Sequence, residues 1–231
     1  MKKYTQEELD EYLKGRRQRA FNLEGWDLSG LDFRKSRFDF PEFSGVDLRD
    51  ANLEETHLLC PKLEKADLRD ANLEGAFLEG AHLEGADLRR ASLKGANLKD
   101  AWIRGTNLAG ADLRGANFQN ASMERVNLTG HDLKGADLSG ANLWNACLNE
   151  ADLTGVNLNN AVLSDVRMIG ADLTGANLDQ VDLDGAHVEG ANFTGADLQT
   201  ADLRWVINLK AAILTDIKYD EYIDIIAKAA E

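Results

Sequence analysis

His57 and Cys60 lie three residues apart, with His82 further along the same stretch, and this is the nearest the sequence comes to a set of metal ligands. The other two histidines, His131 and His187, are far away along the chain. The chain carries 40 Asp and Glu, so paired carboxylates for general acid–base chemistry would be easy to assemble. These acids recur at a fixed interval, however, which is the mark of a structural role. No glycine-rich phosphate loop, nucleophile elbow or zinc-ligand spacing is present. The residues therefore point away from catalysis: no enzyme, no cofactor and no metal is expected.

The interval is five. From Leu23 to Leu203 every fifth residue is large and apolar, giving 37 consecutive units, and 28 of these central residues are Leu. A helix would smear such residues around its axis, and a strand would send them to alternate faces. One face can collect them only if the chain turns a corner in each unit. Calling the central position i, position i−2 is Ala in 23 units and should also point inward. Position i−1 is Asp or Asn in 24 units, suited to bonding nearby turn backbone. Position i+2 holds 19 of the 20 glycines, with Asn or Asp in seven further units, as a corner with positive φ would favour. His131 takes an inward i−2 position, where it needs a backbone partner.

Units such as Ala66-Asp67-Leu68, Ala111-Asp112-Leu113-Arg114-Gly115 and Ala136-Asp137-Leu138-Ser139-Gly140 resemble the pentapeptide-repeat family, whose units read A(D/N)LxG. The resemblance, unlike the period itself, implies an all-β solenoid: a right-handed quadrilateral parallel β-helix with four units per coil. On that reading residues 21–205 form about nine coils, a rod roughly 45 Å long at the usual ~4.8 Å strand spacing.

Open ends of a solenoid need covering. Residues 1–20 are expected to supply an N-terminal capping helix, started by the capping box Thr5-Gln6-Glu7-Glu8, with Leu9, Tyr12 and Leu13 on its apolar face and Gly15 as its stop. The first inward i−2 residues, Phe21, Trp26, Leu31, Ser36, Pro41 and Val46, are bulky where Ala is the norm, as if shaped to meet that helix. At the other end the register fails at Asn208. Residues 206–231 read as a further coil and a capping helix from about Tyr219, with Tyr222, Ile223 and Ile226 on one face. That helix leaves two states open, a monomer or a dimer joined through it. No apolar stretch is long enough for a membrane span, the start is not a signal peptide, and Cys60 and Cys147 are too distant to bridge. A cytoplasmic, membrane-free location is expected. The resemblance adds a bacterial, and especially cyanobacterial, setting.

Sorted by twenty-residue period, the i−1 positions form four columns. The one containing 32, 52 and 72 departs from Asp or Asn only at Ser92. The one from Asn22 to Asp202 departs six times, at Glu42, Lys62, His82, Trp102, Ser122 and Val162. The two remaining columns depart three times each. The second column's side also carries Pro41, Pro61, Trp144 and Trp205. Exposed Trp is enriched at binding anchors. His82, Trp102, Arg104, Arg125 and Trp144 are therefore the candidate docking residues for a protein partner.

The net charge of −14 comes from the repeats. With no basic stripe to neutralise phosphates, direct nucleic-acid binding is disfavoured. The run Lys14-Gly15-Arg16-Arg17-Gln18-Arg19 is too short to change that, and suits a helix C-terminus. The expected function is a non-catalytic cytosolic scaffold or regulator. The resemblance supplies an alternative, because some pentapeptide-repeat proteins mimic DNA and bind DNA gyrase or topoisomerase IV. A duplex 45 Å long would carry about 26 charges, roughly twice what this chain offers.

Overall fold

The computed structural model describes residues 2–14 and 22–219, in two compact units, Met1–Ala116 and Asn117–Glu231. Both are built by one rule. All 37 central residues, from Leu23 to Leu203, are buried, and their i−2 neighbours from Ala66 to Ala201 are buried with them. Each fully buried Leu is worth ~1.5–3 kcal/mol of transfer free energy, and the small Ala leaves room for it.

Corners follow at once. Every i+2 residue from Gly25 to Gly195 has positive φ, whether glycine or not. The N–H of residue i+3 donates back to the carbonyl of residue i, as Trp26 does to Leu23 (3.0 Å). A four-residue turn with φ > 0 at its third position is of type II, which explains the glycines. The expected role of the i−1 acceptors is met at all 24 Asp and Asn: each takes a hydrogen bond on its Oδ1 from the backbone N–H two residues on, at 2.9–3.3 Å.

After four such corners the chain returns beside itself. In the first unit parallel bridges link residues twenty apart, as in Asn22–Glu42–Lys62–His82–Trp102 and Asp27–Asp47–Asp67–Asp87–Asn107. In the second unit the same spacing links Ser122–Asn142–Val162–Asp182–Asp202 and Asn117–Asp137–Asn157–Asn177–Asp197. Only two segments are regular strands, β1 (Arg37–Asp39) and β2 (His57–Leu59), paired in parallel with Phe38 opposite Leu58. Their corners end in Pro41 and Pro61, which have no N–H to close the turn. Every other corner from Leu23 to Leu203 has its i+3 to i bond.

The N-terminal helix α1 runs from Gln6 to Leu13 with the full capping box, Thr5 and Glu8 each bonding the other's backbone N–H. It buries Leu9. It stops at Lys14, one residue before the expected Gly15, which lies outside the described residues together with Phe21, Arg16, Arg17 and Arg19. Trp26 is only half-buried where an inward residue was expected, because it turns to the N-terminal segment: its ring stacks on Tyr4, just before α1 (3.9 Å), and tilts against Tyr12 of α1 (5.0 Å). Gln6 fixes the helix to the first turns of chain. Its amide accepts from Asp32 N–H (2.8 Å) and donates to Asp32 C=O (3.1 Å), satisfying backbone that an open edge would leave unpaired.

At Asn208 the register changes by one inserted residue. Asn208 takes φ 61°, a 3-10 turn covers Leu209–Ala211, and bridging resumes twenty-one residues apart at Asn192–Ile213 and Asp197–Lys218. The expected helix bearing Tyr222, Ile223 and Ile226 lies outside the described residues.

Candidate partner-binding surfaces

Outward i−1 positions are normally filled by an Asp or Asn whose acceptor is already spent on its own turn. Where a larger residue stands there, the side chain is released to the surface. At Trp102 this leaves the indole 51% exposed. Its ring is not isolated: His82, one bridge away, stacks on it at 5.7 Å and 8°. His82 Nδ1 is 3.9 Å from Glu84 Oε1, while Glu84 Oε2 is buried with no hydrogen-bond partner. Arg104 is exposed two residues beyond Trp102 and has no ion pair among the described residues. The first unit thus brings His82 and Trp102 into contact, with Arg104 beside them in sequence but unbonded.

In the second unit the other two candidates meet. The Arg125 guanidinium lies over the Trp144 ring at 4.9 Å, and the indole N–H donates to Asp165 Oδ2 (3.1 Å). Trp144 is 37% exposed and clamped between a cation and a carboxylate. Trp205 is the most exposed large apolar residue described, at 69%.

The histidines stay apart. His57 stacks on Phe77, His82 on Trp102, and among the described residues no group of His, Cys, Asp and Glu has metal-ligand geometry. His131 is buried at its i−2 position, with Nδ1 3.3 Å from the Thr129 carbonyl, so that nitrogen carries the proton. Thr56 and Thr106 occupy the same kind of position and satisfy their hydroxyls on Phe33 (2.9 Å) and Leu83 (2.7 Å) carbonyls.

Two features were not anticipated. One is a charge ladder in the first unit. Arg49, Arg69 and Arg89 each grip the Asp two residues before them (2.5–2.6 Å), and Arg49 and Arg69 also reach the Asp of the next bridge (3.6 and 3.7 Å). Hydrogen bonding to these guanidinium groups holds the Asp47 and Asp87 carboxyls below their usual range, and Arg34 takes Asp32 down to about 2. A D-L-R triplet repeated at twenty residues was the available signal. The other is an aromatic rib of His57 and Phe77, whose rings stack at 4.1 Å and 10°. It sits in a column with half as many departures as the one containing Trp102, so counting departures passed it over.

Against known families, the chain matches the one described as pentapeptide repeats, in eight copies, over residues 22–57, 66–101, 91–130, 103–140, 136–175 and 171–207. No curated protein matches. Among solved structures it is similar to HetL, a pentapeptide repeat protein involved in heterocyst differentiation regulation from the cyanobacterium Nostoc sp. strain PCC 7120. The identity is 31%, covering 93% of this chain and 100% of that one, with a TM-score of 0.43. Full-length QnrB1, a plasmid-mediated fluoroquinolone resistance protein, is 19% identical over 92% of this chain and 98% of that one, TM-score 0.44. Rfr23 from the cyanobacterium Cyanothece 51142 is 24% identical over 71% and 89%, TM-score 0.25.

Proposed function

The chain belongs to the pentapeptide-repeat family, and from that premise we propose that it is a non-catalytic cytosolic scaffold or regulatory protein that binds a protein partner through outward-facing aromatic and cationic side chains. The observation that carries this reading is the 51% exposed Trp102, backed by His82 at a position that the repeat fills elsewhere with a self-satisfied Asp or Asn. An exposed indole held in one orientation loses little entropy on docking, which is what makes Trp a frequent anchor. Arg104 offers an unspent charge nearby, and Arg125 with Trp144 forms the second candidate anchor. The proposal includes the finer architecture: a right-handed, four-sided coil of about nine turns over residues 21–205, with capping segments at 1–20 and 206–231. It also includes a monomeric state, or a dimer through the C-terminal segment.

Replacing Trp102 and Trp144 together by Ala should abolish capture of the partner while leaving the thermal midpoint nearly unchanged. A folded double variant that captures the same partner as well as wild type would refute the assignment.

A net charge of −14 favours one other reading, a DNA mimic that binds DNA gyrase or topoisomerase IV. The Arg49–Arg69–Arg89 ladder weighs against it, since it neutralises a column of acids that a mimic would leave exposed. Potent inhibition of gyrase supercoiling by the pure protein would reverse the ranking.

A further inference from the structure

The first unit has a second outward surface, in a different bridge column from Trp102, and we infer that it binds a basic segment of a partner protein, an Arg or Lys flanked by aliphatic residues. The stacked rings of His57 and Phe77 form a rib, with Phe77 43% exposed. Both rings line two hollows. One, of about 140 Å³, is bounded by Arg37, Leu59 and Glu79; the other, of about 460 Å³, is bounded by Lys35, Glu55 and Gly75. Leu59, 38% exposed, lines the smaller hollow with both rings, and Phe40, 58% exposed, lies next to it, its N–H donating to the Leu59 carbonyl (2.9 Å).

Phe40 makes this more than a scatter of exposed apolar groups. It is held at φ 54°, a conformation that bulky L-residues adopt at a cost. The corner would accept Gly or Asn without that cost. Other non-glycine corners share that conformation, but at Phe40 the residue held there is a large exposed ring, which the fold does not require.

The charges decide the occupant. The cations that line the two hollows are spent: Lys35 pairs with Glu55 (3.5 Å) and Arg37 with Asp39 (3.2 Å). Glu79, on the rim of the smaller hollow, is exposed, and its carboxylate has no partner among the described residues. The unspent charge on the lining is negative, and the chain as a whole carries −14. A guanidinium can lie on the face of Phe77 that His57 does not cover and reach the Glu79 carboxylate, while its aliphatic neighbours enter the hollows. The net charge then steers a basic segment in and repels an acidic one.

The test uses the full chain and two labelled ten-residue peptides, one alternating arginine and leucine, the other glutamate and leucine. Binding is followed by fluorescence anisotropy, and the site by amide chemical-shift perturbation. The basic peptide should bind, with shifts confined to residues 35–97, and the acidic peptide should not. Phe77→Asn should weaken binding at least tenfold; Asn is what the repeat already places at such positions, so the variant folds. Phe40→Gly, which suits its corner, should weaken it severalfold, and Glu79→Gln should weaken it and reduce its salt dependence. Trp102→Ala should leave it unchanged, which separates this surface from the one proposed above. Equal binding of both peptides, no binding of either, or binding that Phe77→Asn does not alter would overturn the inference. Shifts spread over the whole acidic surface would do the same.

Discussion

Replacing Gly155 by Ala and Gly80 by Ala should destabilise the protein by different amounts, for reasons that the two corners make separable. Both glycines have φ of +66°. A left-handed conformation costs an L-residue ~1–2 kcal/mol, and removing a glycine from the unfolded chain returns ~0.4–1 kcal/mol. At Gly155 nothing lies within 4 Å of the added carbon, so the net cost is this backbone term alone, about 0–1.6 kcal/mol. At Gly80 the new carbon would sit 2.8 Å from Cys60 Sγ. The close atom is the end of the half-buried Cys60 side chain, and relieving the contact requires Sγ to turn away from its present rotamer. Overpacking should add ~1–3 kcal/mol. Urea unfolding followed by circular dichroism would read both as shifts in midpoint at constant slope. Adding Cys60→Gly to Gly80→Ala should remove the contact and bring the cost of the alanine back to that seen at Gly155. A clearly stabilising Gly155→Ala would refute the left-handed corner, and equal costs at the two positions would refute the contact.

Acid should destabilise the first unit through its Asp–Arg pairs. Asp47 and Asp87 have folded pKa values below the ordinary ~3.9, so their contribution is complete above that value and is lost as pH falls through the lower folded values. Thermal midpoints should therefore fall as pH drops below about 4, and Arg89→Gln should flatten that fall. Thr56→Val should cost about 0.5–1 kcal/mol in urea unfolding, because the shape is kept and the Phe33 carbonyl still accepts from Ser36 N–H. Gln6→Ala should speed hydrogen exchange at the Asp32 amide, whose acceptor is the Gln6 side chain, with little effect on amides buried in the second unit.

Much of the backbone was legible because its constraint repeats. Leu, Ala, Asp or Asn and Gly each answer one demand of the same corner, and 37 recurrences make the register unmistakable. The N-terminal helix start was legible from Thr5 and Glu8, since a capping box is local chemistry. For Trp26 the bulk pointed to the helix, but the inward position did not reveal that its ring is half-buried, stacked on Tyr4 and tilted against Tyr12. The extra residue near Asn208 was read as the end of the register, because a one-residue bulge and a termination look alike in sequence. At the candidate surfaces the pairing of His82 with Trp102 followed from their spacing of twenty. Asp165 under the Trp144 indole did not, since it depends on a rotamer. Counting departures from the consensus also ranked columns by number, when what makes the His57–Phe77 rib a surface is ring exposure and two flanking hollows.

The claim beneath every surface comparison is that residues twenty apart are neighbours and residues ten apart are not. Disulfide formation tests it directly in a Cys60→Asn, Cys147→Asn background. A parallel bridge places Cα atoms ~4.8 Å apart, within the range a disulfide accepts. Lys62→Cys combined with His82→Cys should cross-link on mild oxidation, and Lys62→Cys with Asn72→Cys, closer in sequence, should not. Efficient cross-linking of the 62–72 pair, or none at 62–82, would contradict the account.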